Sequence, residues 1–217
     1  MLYALLFILS GPQGACKGLI EFASGQWKGG RLGEHHLVLG ETRDFVTGET
    51  LVDTHDERYR QKIARLLVEE KGFRREDLFP RVPVDIASDD RKARVRLDLL
   101  VRLDERIVLL VKYGPGSLTT RHQVALAFSR LLAPYQVPFS VVTNGEDAEI
   151  IDNSKVSVAA RGLAGIFSRK DLQGRLQSYE LVPVSEPHRA MAARILYAYE
   201  VDGRCPCDDS VCEWEQR

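Results

Sequence analysis

Arg94-Val95-Arg96-Leu97-Asp98-Leu99-Leu100-Val101-Arg102-Leu103, then Asp104-Glu105-Arg106, then Ile107-Val108-Leu109-Leu110-Val111-Lys112-Tyr113, is the stretch that decides how this chain folds. In its first part the odd positions are all apolar and the even ones mostly polar. That period of two predicts a β-strand with every second side chain on one face, and places Asp98 on the face of Arg94, Arg96 and Arg102. The second part predicts another strand, in which Val108, Leu110 and Lys112 share a face. Asp104-Glu105-Arg106 reads as the turn between them. If it is a three-residue hairpin loop, Asp98 lies opposite Lys112 and both point the same way; a two-residue loop would set them on opposite faces.

Upstream, Asp53-Thr54-His55-Asp56 offers a helix N-cap, and Tyr59, Ile63, Leu66, Leu67 and Glu70 then fall on one side of a helix that ends near Lys71-Gly72. Glu57 and Gln61, four apart, stack on one stripe of it. Leu37 to Leu51 reads as a short strand pair before that helix, and Asp77 to Ala87 as the first core strand, held to an edge by Pro80 and Pro83. Downstream come a helix burying Val124, Ala127, Phe128, Leu131 and Leu132, a buried strand over Phe139 to Thr143, and another over Ala148 to Asp152 after the Asn144-Gly145 turn. Ser168 to Tyr179 and Glu186 to Glu200 read as two closing helices, the second with Met191, Ile195, Leu196 and Tyr199 on one stripe. The order predicts an α/β sandwich with a mixed central sheet. Its divisions are a weakly patterned extension over 1–36, a core over 37–155, packed helices over 156–202 and a cysteine-rich tail over 203–217.

The 217 residues, 44% of them hydrophobic, suffice for one sizeable core. A formal net charge of −1 gives no global pull toward nucleic acid, but the charge is unevenly placed. From Arg58 to Lys112 there are 15 Lys or Arg against 10 Asp or Glu. The row of Arg94, Arg96 and Arg102 is the best candidate to follow a DNA backbone, the alternative being an ordinary solvated face. Tyr113-Gly114-Pro115-Gly116-Ser117 leads to Arg121 and His122 at a helix start. Its amides suit a phosphate, or a plain strand-to-helix connection; the Gly-Lys-Ser/Thr ending of a P-loop is missing. Met1 to Leu9 is apolar but too short to span a bilayer and lacks a basic leader, so a cytoplasmic protein without membrane contact is expected.

Cys205, Cys207 and Cys212 fall within eight residues, with Cys16 far upstream. One intervening residue strains a bridge between Cys205 and Cys207, which leaves metal binding, a redox switch, a bridge involving Cys212, or idle thiols. Zinc and iron–sulfur clusters both want four such ligands, and for zinc His188 or an aspartate is an alternative fourth.

Taken in chain order, Glu57-Arg58-Tyr59-Arg60-Gln61, the run from Val95 to Leu100, the run from Val108 to Lys112, and Val141-Val142-Thr143-Asn144-Gly145 resemble the N-terminal nuclease domain of the type I restriction enzyme R subunit, a branch of the PD-(D/E)XK fold. The resemblance covers under half the chain. It implies a restriction-endonuclease-like core in which Asp98 is the metal-binding aspartate, Lys112 the catalytic lysine and Glu57 the helix acid that helps set a Mg²⁺ site. It departs at one place: the family's strand reads Glu-x-Lys, and here it is Leu110-Val111-Lys112. Magnesium is commonly held by only one or two carboxylates, so losing one is serious. The segment from Thr119 to Pro134, where some nucleases of this fold carry a substitute acid, holds no carboxylate. One cysteine before the core and three after it is also the topology by which RecB-like nucleases hold a [4Fe–4S] cluster, although the spacing here differs.

Three functions follow. The chain is a Mg²⁺-dependent DNA endonuclease, or a nuclease-fold DNA-binding or accessory protein that has lost cleavage through Leu110, or a zinc or iron–sulfur protein in which the core is scaffold. It carries no helicase motor, so a restriction role calls for a protein partner supplying motor or specificity, or for action by another route.

Overall fold

The computed structural model describes residues 37–88 and 90–203, and the backbone of 212–215. A hairpin of β1 (Val38–Arg43) and β2 (Thr50–Thr54) leads into α1 (His55–Arg65), which one wider turn extends through Leu66–Glu70. The local sequence explains this helix. The Thr54 side chain accepts the Glu57 N–H, Asp56 and Glu57 face the positive end of the helix dipole, and Lys62 and Arg65 occupy its last turn. Gly72, at φ +73°, then turns the chain out in a conformation that side chains disfavour.

The main sheet runs in the order β3 (Leu78–Ser88), β4 (Arg91–Leu103), β5 (Arg106–Tyr113), β6 (Phe139–Thr143), β7 (Ala148–Asp152), β8 (Ser157–Arg161). Its pairs are antiparallel except β5 with β6. The parallel pair needs a crossover, and α2 (His122–Leu131) provides it. α3 (Arg169–Leu176) and α4 (Glu186–Leu196) follow, α4 continuing in a wider turn over Tyr197–Val201. β9 (Cys212–Glu215) pairs with the start of β4. β8, which the sequence reading leaves out, is half exposed and short of large apolar residues.

Two apolar cores sandwich this sheet. One packs Ile63 and Leu67 of the first helix and Leu172 of α3 against Leu99, Val101, Leu109, Val111, Phe139 and Val141. The other packs Val124, Phe128 and Leu132 of the α2 region and Ala193 and Leu196 of α4 against Val95, Leu97, Leu100, Leu110 and Val142. The expected stripe on α4 is rotated: Ala192, Ala193, Leu196 and Tyr197 are buried, while Met191 and Tyr199 stand 49% and 50% exposed.

Three expectations about the central hairpin are corrected. The turn has two residues, Asp104 and Glu105, both at positive φ (47° and 63°), the twist that suits a tight hairpin. A bulge offsets it, because Arg102 pairs with Ile107 but Val101 pairs with Leu109, leaving Val108 as an extra residue. The bulge restores the register of a three-residue loop, so Leu99 pairs with Val111 and Asp98 comes opposite Lys112. It also turns Val108 to the α1 side, away from Leu110.

The third correction lies at Asp98 itself. Ala93, Val95 and Leu97 join the core under α2 and α4, but Leu99, Val101 and Leu103 join the core under α1. The alternation therefore changes face at Asp98. On the neighbouring strand the residue across from it, Arg81, has φ +53°, so both strands bend at the same rung and their register survives. As a result Arg94 and Arg96 lie on one face of the sheet, while Arg102 lies on the other, over the ring of Phe79.

A candidate active site at the seam of two strands

β4 is longer than its neighbours on one edge. Its end pairs with β5 from Leu99 on and its start with β9 up to Arg94, so among the described residues the stretch between them has no strand partner on that side. Asp98 sits at the end of this gap. Its Oδ2 accepts the backbone N–H of Tyr113 at 2.9 Å, and its Oδ1 accepts Nε of Arg60 from α1 at 2.6 Å. Lys112 Nζ stands 3.7 Å from the same Oδ2 and lies over the Phe128 ring on the α2 side. Burial alone would raise the Asp98 pKa, but the Lys112 charge, the Arg60 guanidinium and the Tyr113 N–H outweigh it and hold the carboxyl below its usual range. It is an ionised group in a site that excludes most water.

Two further carboxylates approach from opposite faces. On the α1 side Glu57 accepts from Gln61 Nε2 at 2.7 Å and stands 3.6 Å from Arg60, so this guanidinium lies between Glu57 and Asp98. Gln61 also donates to Asp44 at 2.9 Å, and Arg81 ties Asp44, Glu49 and Glu57 together. On the α2 and α4 side Glu200, from the turn after α4, accepts from Lys112 Nζ at 2.7 Å. Glu200 is the residue that sequence reasoning missed. It lies 88 positions from its partner, and its one signal is a carboxylate set between the buried Tyr197 and Val201.

Of the residues expected to act together, the structure sets Lys112 beside Asp98, and Asp98 and Glu57 line one small cavity with Arg60 between them, while Lys112 lies outside that cavity. Leu110, where the acid was expected, is fully buried. Among the candidate DNA contacts, Arg94 forms a two-pronged ion pair with Asp85, Arg102 is paired with Glu105, and Arg121 donates to the Pro115 carbonyl. Arg121 crosses close above Gly114, where a Cβ would fall 2.0 Å from its Cζ. His122 is bound to Glu149 at 2.6 Å. The loop before α2 thus has the ties of a plain connection. Arg96 makes no hydrogen bond or ion pair with the described residues. Cys16, Cys205 and Cys207 lie outside the described residues, and Cys212 is placed by its backbone alone, beside Arg94.

A mixed sheet between helical layers, with an aspartate and a lysine meeting where two strands part, defines a restriction-endonuclease-like α/β fold. The family model of the type I restriction enzyme R protein N terminus matches residues 55–166, more than half of the chain, and the chain belongs to that family. No curated protein and no solved structure matches it. No helix among the described residues is long and apolar enough to cross a membrane.

Proposed function

We propose that this chain binds DNA and cleaves its phosphodiester backbone with Mg²⁺, using Asp98 and Lys112 as the chemical centre and Glu57 as a supporting acid. The observation that carries this reading is the approach of Lys112 Nζ to within 3.7 Å of Asp98 where β4 and β5 separate, both side chains only 9% exposed. The donors suit a hard cation: Asp98 is ionised, and Mg²⁺ takes oxygen ligands, often one or two carboxylates with water and phosphate completing the shell. Among the described residues no three acid, His or Cys side chains are grouped to hold an ion by themselves.

Asp98 would hold the ion, which when bound supplies Lewis-acid polarisation of the scissile phosphate. Lys112 presents N–H donors to the attacking water and to the phosphate oxygens as negative charge builds there. The water oxygen bonds to phosphorus, one P–O ester bond breaks, and the water's proton ends on the leaving alkoxide. Arg60 keeps Asp98 fixed and is itself balanced by Glu57. Arg96, half-buried on β4, supplies a phosphate contact, and a partner protein supplies motor or sequence specificity.

Nicking of supercoiled plasmid with Mg²⁺ or Mn²⁺, lost in Lys112→Ala, is the expected result. DNA binding should weaken with salt, and Arg96→Ala should lower the salt slope by about 1. Leu110 in the core favours a second reading, in which the fold binds DNA without cutting it. Binding that depends on Arg96, with no nicking under either ion, would select that reading and refute the first.

A further inference from the structure

We propose that Glu200 is the second carboxylate of the cleavage site, delivered from the end of α4 in place of the strand acid that Leu110 displaces. The proposal rests on the reading of Asp98 and Lys112 as that centre. Glu200 reaches the centre from the face opposite α1. Leu110 and Lys112 project toward α2 and α4, so an acid at position 110 would have approached Lys112 from that side. Glu200 comes from that same side and reaches Lys112 Nζ at 2.7 Å, closer than Asp98 does. The ammonium is therefore a cation already held by both carboxylates, and marks a place that both can reach. Glu200 is only 16% exposed, and Lys112 is the one partner it has among the described residues. A carboxylate so placed costs stability unless its cation is always present.

A purely structural ion pair predicts a loss of stability in Glu200→Gln whatever ions are in solution. The proposal predicts a change in ion binding instead. The full chain is titrated with Mn²⁺ in the absence of DNA, following Tm, and plasmid nicking is measured in parallel. Mn²⁺ near a hundred times its Kd should raise the wild-type Tm by roughly 5 to 10 °C. Asp98→Asn and Glu200→Gln should each abolish that rise, and Glu186→Gln, at the far end of α4, should keep it. Nicking should fall on the order of a hundredfold in Glu200→Gln.

A Glu200→Gln protein that keeps both the Mn²⁺ shift and the nicking overturns the assignment and leaves the Asp98 and Lys112 centre standing. A shift that depends on Glu200 in a wild type that never nicks supports the assignment and removes the cleavage reading. No shift in the wild type overturns the assignment, making Glu200 the counter-ion of Lys112 alone. Should the glutamine variant not fold, Glu200→Asp carries the test: its Mn²⁺ shift must shrink, and an unchanged shift overturns the proposal.

Discussion

Two arginine–aspartate contacts in this protein have the same length and different surroundings, which makes the energy of the site measurable. Arg60 Nε meets Asp98 Oδ1 at 2.6 Å with the side chains 28% and 9% exposed; Arg94 Nε meets Asp85 Oδ1 at 2.6 Å with 38% and 45% exposed. At about 4 Å between charge centres, the attraction is roughly 4 kcal/mol at an effective dielectric of 20 and about 1 kcal/mol in water. After desolvation is subtracted, a coupling of about 2 to 3 kcal/mol is expected for the inner pair. The outer pair should show about 0.2 to 1 kcal/mol, screened by solvent. The assay is a double-mutant cycle by urea denaturation for each pair, Arg60→Met with Asp98→Asn and Arg94→Met with Asp85→Asn. Asparagine can still accept the Tyr113 N–H, and methionine keeps the stem of the arginine, so each cycle reads mainly the charge. Equal couplings for the two pairs would refute the claim that the seam is a low-dielectric site, and with it the account of why Asp98 stays ionised there.

Asp44 is held down to about 2 from 3.8, because Arg81, the Thr47 N–H and Gln61 outweigh the opposing effect of burial. Its contribution, about 2 kcal/mol, is present in full above pH 3.8 and lost as pH falls through 2. The acid limb of Tm against pH should therefore flatten below pH 4 in Asp44→Asn, and an unchanged limb would contradict the assignment. Gly145 has φ +88° and a Cβ there would meet Tyr59 Cδ1 at 2.1 Å, whereas Gly116 has φ +84° with nothing within 4 Å. Gly116→Ala should cost about 1 to 2 kcal/mol of backbone strain, and Gly145→Ala clearly more in the same chemical melts, since Tyr59 must also leave its stack on Tyr113. Elemental analysis of the purified chain should find zinc or iron held by Cys16, Cys205, Cys207 and Cys212 and lost in Cys207→Ser; a metal-free wild type would leave the tail without that role.

Much of the sandwich was legible because its signals are local. Thr54 announces the first helix, Gly72 ends it, and Phe139 to Thr143 is apolar enough to be a strand buried on both faces. The hairpin turn was less legible because Asp104-Glu105 lacks the glycine that marks a two-residue loop. The change of face at Asp98 leaves no trace in the pattern at all. Odd positions from Ala93 to Leu103 are apolar throughout, and with a helical layer on each side of the sheet they find a core whichever way they point. Alternation tells which residues share a face only while the strand is regular.

The cluster of charges around Asp98 depends on that irregularity. In a straight β4, Asp98 would point squarely to one face and meet either α1 or Lys112. At the bend, with β5 and β9 parted, its carboxylate reaches Arg60 on one side and the Tyr113 N–H and Lys112 on the other. The same bend turns Arg81 into a left-handed conformation from which it gathers Asp44, Glu49 and Glu57. Such a backbone costs on the order of 1 to 3 kcal/mol and persists only where its surroundings fix it. Here five carboxylates and three cations are arranged around the rung of Arg81 and Asp98, so the strain and the charge lie in one place. Regularity is given up where buried charge, rather than an apolar core, has to be accommodated.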